Sequence, residues 1–181
     1  MYIAFDTETT GLSSDSQLLT AYFVILDKNF EPESSLDLKF KWPSYNVYAK
    51  ALEVNKIDIV KHDLLADDLA VCRSKMKSFI KNRNRLIPIG HNINFDIGFI
   101  RSSGLVSDEE FSKSFNFVNI DTLVVAQFLK SNGKIPLYQS LSLKNICSYF
   151  GITCGEQEFH TAKYDTLMTI SLLKFFNKNF C

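Results

Sequence analysis

The sequence has 181 residues, of which 46% are hydrophobic, and its 20 Lys and Arg side chains balance its 20 Asp and Glu side chains. This length predicts one domain over residues 1–181, and the hydrophobic content excludes a disordered chain. Because the net charge is near zero, overall charge does not indicate a nucleic-acid partner, so any such prediction must depend on particular residues.

No targeting or membrane-spanning signal is evident in the sequence. The apolar run at residues 2–5 is too short for a signal peptide, and no apolar stretch is long enough to cross a bilayer. The four cysteines form no CxxC pair: Cys72, Cys147, Cys154 and Cys181. We therefore expect reduced thiols, a cytoplasmic location and no membrane partner. The oligomeric state is left open.

The first part of the chain predicts an antiparallel meander. Residues 2–5 form a short apolar strand, and residues 18–26 form a second strand that is rich in apolar and β-branched side chains. Leu36, Leu38 and Phe40 then alternate with polar residues, which is typical of a half-buried strand.

The remainder of the chain alternates between helical and strand patterns. Helices are predicted at residues 67–83, 96–103, 121–130, 142–150 and 162–176, and strands at residues 86–90 and 117–120. Strands that are reached through helices are usually parallel to their neighbours. The sequence therefore predicts an α/β fold with a five-stranded mixed sheet flanked by helices.

Two carboxylates, Asp6 and Glu8, follow the first predicted strand. Residues two apart on a strand point to the same face, so this spacing directs both side chains to one point. Neighbouring carboxylates repel and raise each other's pKa, and a bound Mg²⁺ or Mn²⁺ removes that penalty. A solvated acidic strand end is the simpler alternative for this pair alone.

A third carboxylate, Asp96, follows a predicted parallel strand. It lies at the strand edge where ligands bind in open α/β sheets. Helix capping is the alternative role for Asp96, and turn formation is the alternative for Asn92 and Asn94.

A fourth carboxylate, Asp165, begins the apolar last helix. A buried carboxylate is costly there unless it is paired or binds a cation. His160 precedes it by five residues in a polar loop, within reach of the same cation. A lone histidine is more often structural than catalytic. A catalytic role for His160 is therefore indicated only by the neighbouring acids.

Together, these segments resemble the DnaQ-like, or DEDD, superfamily of 3′→5′ exonucleases. Residues 6–12 match its D-x-E-T-T-G-L motif, and residues 92–96 match its second motif. His160 and Asp165 match its H-x-x-x-x-D motif. The other branch of the superfamily has Tyr four residues before the final Asp, where this chain has Thr161. The chain therefore resembles the histidine branch, DEDDh.

The resemblance implies an RNase H-like fold and two divalent metal ions, Mg²⁺ or Mn²⁺. The implied metal ligands are four carboxylates: Asp6, Glu8, Asp96 and Asp165. His160 is the implied general base, so the catalytic set has five members. The implied contacts to the terminal nucleotide are Thr9, Leu12, Asn92 and Phe95.

The implied reaction is hydrolysis of phosphodiester bonds from the 3′ end of a nucleic acid, which releases nucleoside 5′-monophosphates. Single-stranded DNA is the first expected substrate. RNA or short oligoribonucleotides are second, because the four carboxylates do not themselves read the 2′-hydroxyl. A non-catalytic nucleic-acid-binding or docking domain is the alternative of another class, and the complete catalytic set argues against it. A polymerase or replication partner is considered, but the sequence shows no obvious C-terminal anchor.

Three further features have a structural interpretation beside a functional one. For Asp121 we favour a helix N-cap over a fifth metal ligand. Six basic residues lie between positions 73 and 85, and for these we favour a solvated helix face over a phosphate-tracking patch. Trp42, Tyr45 and Tyr48 are interpreted either as base-stacking residues or as sheet-edge packing.

Overall fold

The computed structural model describes residues 1–83, 85–153 and 160–180. Within these ranges the strands are β1 (Tyr2–Thr9), β2 (Leu18–Leu26), β3 (Pro32–Lys41), β4 (Asp67–Asp68), β5 (Ile87–Gly90) and β6 (Ile120–Asp121). The helices are α1 (Ala49–Asn55), α2 (Ile59–Leu65), α3 (Leu69–Ile80), α4 (Ile93–Ser102), α5 (Asp108–Ser114), α6 (Thr122–Ser131), α7 (Leu143–Tyr149) and α8 (Ala162–Phe180).

The strands form one mixed sheet in the order β4-β3-β2-β1-β5-β6. Strand β2 is antiparallel to both β1 and β3, whereas β5 is parallel to β1 and β6 is parallel to β5. The predicted α/β fold with a mixed sheet is confirmed. The predicted count of five strands was wrong, because the two-residue strand β4 adds a sixth beside β3. A strand of two residues is too short to show an alternating pattern.

Several element boundaries differ from the prediction for physical reasons. Strand β1 continues through the acidic motif to Thr9, because its backbone stays paired with β2 there. Strand β6 begins at Ile120 instead of residue 117, and Phe117 is 92% exposed, so its apolar side chain does not mark a buried strand. Helices α1, α2 and α5 were missed, since each has only seven residues, about two turns, which is too short to establish a helical period.

Alternate residues of β1 face opposite layers of helices. Ile3 and Phe5 pack in a core cluster with buried residues of α3 and α4, including Cys72, Met76, Ile93 and Ile100. Ala4 packs on the other face with buried residues of α8, including Ala162, Ile170 and Leu173. Odd-numbered positions of β1 therefore face α4, and even-numbered positions face α8.

A third cluster joins α6 and α7 to α8, with Ile146, Met168 and Phe176 among its buried members. Cys72 and Cys147 are buried, and Cys154 and Cys181 lie outside the described residues. Over the described ranges, no helix is both long enough and apolar enough to cross a membrane.

Candidate active site

Three carboxylates meet at the carboxyl end of β1. Asp6 and Glu8 occupy even-numbered positions that face α8, and Asp165 lies in the first turn of that helix. Each of the three side chains offers an oxygen, and these oxygens all lie within 4.8 Å of one another. The structure thus brings together two sequence motifs that are separated by most of the chain.

The fourth predicted carboxylate, Asp96, lies in the first turn of α4 and is only 3% exposed. Its Oδ1 accepts hydrogen bonds from the backbone N–H and the hydroxyl of Thr7, at 2.9 and 2.6 Å. The N-cap of α4 is Asn92, so helix capping is not the role of Asp96. Among the neighbouring charges, Asp96 is the strongest influence that raises the pKa of Asp6.

The four carboxyl groups have raised pKa values. Burial is the main cause for Asp6, whose pKa lies well above its ordinary value, and the charges of the other three acids add to it. Burial and the charges of Asp165 and Asp96 raise the pKa of Glu8 to about 8. Burial also raises the pKa of Asp96, and it raises that of Asp165 to about 6. Desolvation is therefore the largest influence on all four pKa values, and repulsion by the other acids of the site adds to it for Asp6 and Glu8.

This donor set fits a hard divalent cation. All of the converging groups are carboxylate oxygens, which Mg²⁺ and Mn²⁺ prefer over nitrogen or sulfur ligands. A bound cation also offsets the repulsion that raises the pKa values of these acids. The residues present therefore match a divalent-metal centre.

The remaining predicted catalytic residue, His160, lies beside Asp165. Its backbone is left-handed, with φ of 73°, and its N–H donates to the two carboxylate oxygens of Asp165 at 3.3 and 3.5 Å. Burial, together with the positive charges of Lys144 and Lys56, lowers the pKa of the His160 imidazole. A neutral imidazole has one ring nitrogen that can accept a proton, so a lowered pKa suits a base at neutral pH.

A cavity of about 500 Å³ opens beside Glu8. Three of the four residues predicted to contact the terminal nucleotide line it: Thr9, Leu12 and Phe95. Leu12 is 85% exposed, so its side chain is available to a ligand. Asn92 does not line this cavity, and its backbone N–H instead donates to Asp121 at 2.8 Å.

The opposite wall of the cavity is helix α1, which the sequence did not predict. Tyr48, just before the helix, and Ala51, Val54 and Asn55 within it line the cavity. The Tyr48 ring packs over Gly11, where a Cβ atom would lie 2.4 Å from a ring carbon. A residue with a Cβ atom at this position would have to displace the Tyr48 ring, so glycine permits the close approach of that ring.

The other two aromatic residues after β3 stabilise the sheet edge. Trp42 donates from Nε1 to the Leu18 carbonyl at 2.7 Å, and the Tyr45 hydroxyl donates to Asp63 at 2.9 Å. Of the three aromatic residues, Tyr48 alone lines the cavity. The sequence could not separate these two roles, because they depend on the path of the chain between β3 and α1.

Two residues near the carboxylates were missed by the sequence analysis. Thr7 binds Asp96, and only the alternation of β1 could have indicated that its side chain faces α4. Asn55 is 6% exposed and donates to the Thr9 carbonyl at 3.2 Å, and its side chain also lowers the pKa of Glu8. No sequence signal identifies Asn55, because its contact with β1 depends on how α1 packs.

The structural interpretations of Asp121 and of the basic segment are supported. Asp121 caps α6 by accepting the N–H of Leu123 at 2.9 Å. Helix α3 leads into the start of β5, whereas the carboxylates lie at the carboxyl end of the parallel strands. Lys75 also pairs with Asp67, and Lys77 pairs with Glu110 at 2.8 Å. The basic segment therefore lies away from the carboxylates, and two of its charges are paired.

The chain is similar to known proteins over most of its length. The chain matches the exonuclease family over residues 3–173. It is 28% identical over 184 residues to Ribonuclease T of Yersinia pseudotuberculosis, and the match covers 94% of this chain and 81% of that protein. It is also 26% identical over 176 residues to PolC-type DNA polymerase III of Clostridium perfringens, and that match covers 96% of this chain but 11% of the polymerase.

Solved structures with the same fold include two examples of Exonuclease I. The enzyme from Methylocaldum szegediense has a TM-score of 0.81 and 16% identity, and covers 99% of this chain. The E. coli enzyme in complex with a dT13 oligonucleotide has a TM-score of 0.78 and 16% identity, and covers 97% of this chain. The chain spans 40% of the length of each of these structures. Because the family match extends over nearly the whole chain, the protein belongs to the exonuclease family, within the DnaQ-like superfamily of 3′→5′ exonucleases.

Proposed function

We propose that residues 1–181 form one exonuclease domain that removes nucleoside 5′-monophosphates from the 3′ end of single-stranded DNA. The observation that carries this proposal is the convergence of Asp6, Glu8 and Asp165 beside a cavity of about 500 Å³. A cluster of desolvated acids is costly for the fold alone, which supports a functional role for these residues.

We assign the four carboxylates to two divalent ions, Mg²⁺ or Mn²⁺. Asp6, Glu8 and Asp165 would hold one ion, and Asp96 together with Asp6 would hold the other. The central place of Asp6 is supported by its pKa, which the charges of the other three acids all raise. Ions bound in this way supply Lewis-acid chemistry, since they polarise the phosphoryl group and offset charge on the attacking and leaving oxygens.

His160 is proposed as the general base. The unprotonated ring nitrogen of its neutral imidazole takes a proton from the water that attacks the terminal phosphodiester. The lowered pKa of His160 supports this role, because the ring then stays neutral at physiological pH. The hydrogen bond from its backbone N–H to Asp165 holds His160 beside the carboxylate cluster.

The cavity is proposed to hold the terminal nucleotide. Leu12 and Phe95 supply an apolar surface for the base, and contacts of this kind tolerate any base because each has a flat apolar face. The volume of about 500 Å³ lies within the usual range for small-ligand clefts, about 300–1,000 Å³. Asn92, which lies outside this cavity, is proposed only as a contact to a nucleotide further from the end.

Trimming of RNA 3′ ends is the second candidate function. It is favoured by the Ribonuclease T relatives, since the chain covers 81% of their length and only 11% of the PolC-type polymerases. The first candidate is favoured by the Exonuclease I structure that holds a dT13 oligonucleotide. A polymerase partner is a further proposal, suggested by the PolC-type relatives.

Matched DNA and RNA oligonucleotides of one sequence, labelled at either end, test both candidates. With Mg²⁺, a 3′ label should leave as a mononucleotide in the first turnover, while a 5′-labelled strand shortens stepwise. A higher kcat/KM for RNA than for DNA would favour the second candidate. Release of the 5′ label first, internal cleavage, or oligonucleotide binding without any cleavage would contradict the proposal, and the last result would favour a non-catalytic binding domain.

A further inference from the structure

Thr7 lies between the motif carboxylates Asp6 and Glu8, but its side chain belongs to the opposite face of β1. It is 6% exposed and faces α4, where Asp96 is 3% exposed. Its backbone N–H and its hydroxyl both donate to Asp96, at 2.9 and 2.6 Å, across a sequence separation of 89 residues. These bonds directly connect β1 to the first turn of α4.

Both hydrogen bonds end on the same oxygen of Asp96. Oδ1 receives the N–H and the hydroxyl of Thr7, and Oδ2 receives neither. The Thr7 backbone is fixed by its pairing with Ala21 in β2, and a β-branched side chain has few rotamers. The donor pair therefore holds the Asp96 carboxylate in one orientation.

The start of α4 is fixed at a second point as well. The N–H of Asn92, the left-handed N-cap of this helix, donates to Asp121 at 2.8 Å. Rotations of the Asp96 side chain about its Cα–Cβ and Cβ–Cγ bonds are then the freedoms that remain to it, and the two bonds from Thr7 to Oδ1 restrict both.

We infer that Thr7 is a positioning residue that gives the two oxygens of Asp96 different tasks. Oδ1 is held by Thr7, and Oδ2 is the oxygen offered to a divalent ion. The inference rests on the proposed function, in which Asp96 is a ligand of one of two ions. It makes the middle residue of the D-x-E motif a determinant of metal affinity on the α4 side of the site.

The test is isothermal titration calorimetry of the whole chain with Mn²⁺, in the presence of thymidine 5′-monophosphate. Thr7→Val keeps the β-branched shape and removes the hydroxyl, whereas Thr7→Ser keeps the hydroxyl. Thr169→Val is the matched control, because Thr169 is also buried, at 2% exposed, but lies further along α8. Titration of the exonuclease rate with Mg²⁺ provides a second readout.

We expect wild-type protein to bind Mn²⁺ at two sites and Thr7→Val to weaken one of them about 10- to 100-fold, the usual loss when a residue that orients a metal ligand is removed. Thr7→Ser should restore wild-type binding, and Thr169→Val should not change it. The Mg²⁺ concentration for half-maximal rate should rise in Thr7→Val, while the rate at saturating Mg²⁺ recovers towards wild type.

Wild-type Mn²⁺ binding by a folded Thr7→Val protein would overturn the inference, as would a wild-type protein with a single site. If Thr7→Val does not fold, Thr7→Ala removes the same hydroxyl and is judged by the same criterion. Failure of the proposed function has a different signature, because wild-type protein would then show no Mn²⁺ binding or no cleavage from the 3′ end.

Discussion

Acidic side chains at the two ends of the central sheet have opposite electrostatic environments. At the carboxyl end of β1, burial and neighbouring acids raise the pKa of Glu8 to about 8. Near the start of β5, Lys77 and the backbone of Ser107 lower the pKa of Glu110 to about 2. The same residue type is thus destabilised as an anion in one region and stabilised in the other.

The difference supports a structural role for Glu110 and the proposed functional role of Glu8. Glu110 completes a capping box with Ser107 and forms an ion pair with Lys77 at 2.8 Å, so its charge is neutralised within the protein. Glu8 lies close to Asp6 and Asp165 instead, and the charges of Asp165 and Asp96 raise its pKa. Such an arrangement is retained in a protein when a bound cation completes it, which is why we assign chemistry to this end of the sheet.

The largest expected effect comes from neutralising one acid at each end. Asp165→Asn should lower kcat about 10³-fold or more, because a metal centre supplies several kcal/mol of transition-state stabilisation. Glu110→Gln should leave kcat within about twofold and cost about 1 kcal/mol or less of unfolding free energy, because glutamine can keep the capping box but loses the ion pair with Lys77. Steady-state cleavage and urea unfolding measure these effects. Equal losses of activity in the two variants would show that the acids at the carboxyl end of β1 are no more important for catalysis than those near the start of β5.

The second effect concerns His160. His160→Ala should lower kcat by about 10²–10⁴-fold, the usual contribution of a general base, while Mn²⁺ binding is retained. Since the pKa of His160 is lowered, the wild-type rate should rise with pH and reach half of its maximum at a pH below the ordinary histidine pKa of about 6.5. Lys163→Ala controls for disturbance of the same segment. A His160→Ala rate within a few-fold of wild type would exclude the histidine as the base.

The third effect is on the stability of the metal-free protein. Glu8 binds its proton more tightly when folded, since its pKa is raised to about 8, so folding is favoured as pH falls from about 8 towards the unfolded value of about 4.3. Glu110 has a lowered pKa, so its stabilising contribution is present above the unfolded value and is lost as pH falls towards about 2.

Thermal unfolding in EDTA between pH 5 and about 9 measures this difference. Glu8→Gln should raise the Tm above that of wild type at pH 8 and reduce the gain in stability that wild type shows on acidification. Glu110→Gln should lower the Tm throughout this pH range without changing how steeply the Tm varies with pH. A Glu8→Gln protein that is less stable than wild type at pH 8 would show that the Glu8 carboxylate stabilises the metal-free fold.

The smallest expected effect compares lysines in the two regions. Lys50 lines the cavity, whereas Lys77 pairs with Glu110 near the start of β5. Lys50→Gln should raise the KM for an oligonucleotide and reduce the slope of log KM against log salt by about 1, as expected for one lost phosphate contact. Lys77→Gln should change neither quantity. A weaker salt dependence of KM in Lys77→Gln would indicate that the nucleic acid instead contacts the basic segment at residues 73–85.

The sequence predicted the main parts of the site because each part is local. The spacing of Asp6 and Glu8 on a strand, and the position of Asp165 at the start of an apolar helix, can be read without knowledge of tertiary structure. Asp121 as a helix cap was confirmed for the same reason, since a cap depends on the next two residues. The meander was also predictable, because short turns connect β1, β2 and β3.

The sequence did not predict the contacts that join distant segments. The bond from Thr7 to Asp96 spans 89 residues, and that from Asn55 to Thr9 spans 46. Helix α1 is short and is held against the first motif by the bond from the Tyr48 N–H to the Thr10 carbonyl at 2.9 Å. Tertiary packing therefore decides which residues form the wall of the cavity. Hydrophobic periodicity is a local pattern and does not indicate how distant segments pack together.

The most direct test of the metal assignment is an anomalous difference map from a crystal soaked in Mn²⁺. We expect a peak in contact with Asp6, Glu8 and Asp165, with a second peak between Asp6 and Asp96 when a nucleotide occupies the cavity. Asp165→Asn crystals should lose or weaken the first peak. If Mn²⁺ activates the enzyme but the peaks lie only at other acidic clusters, such as Asp108 and Glu109, the carboxyl end of β1 is not the metal centre.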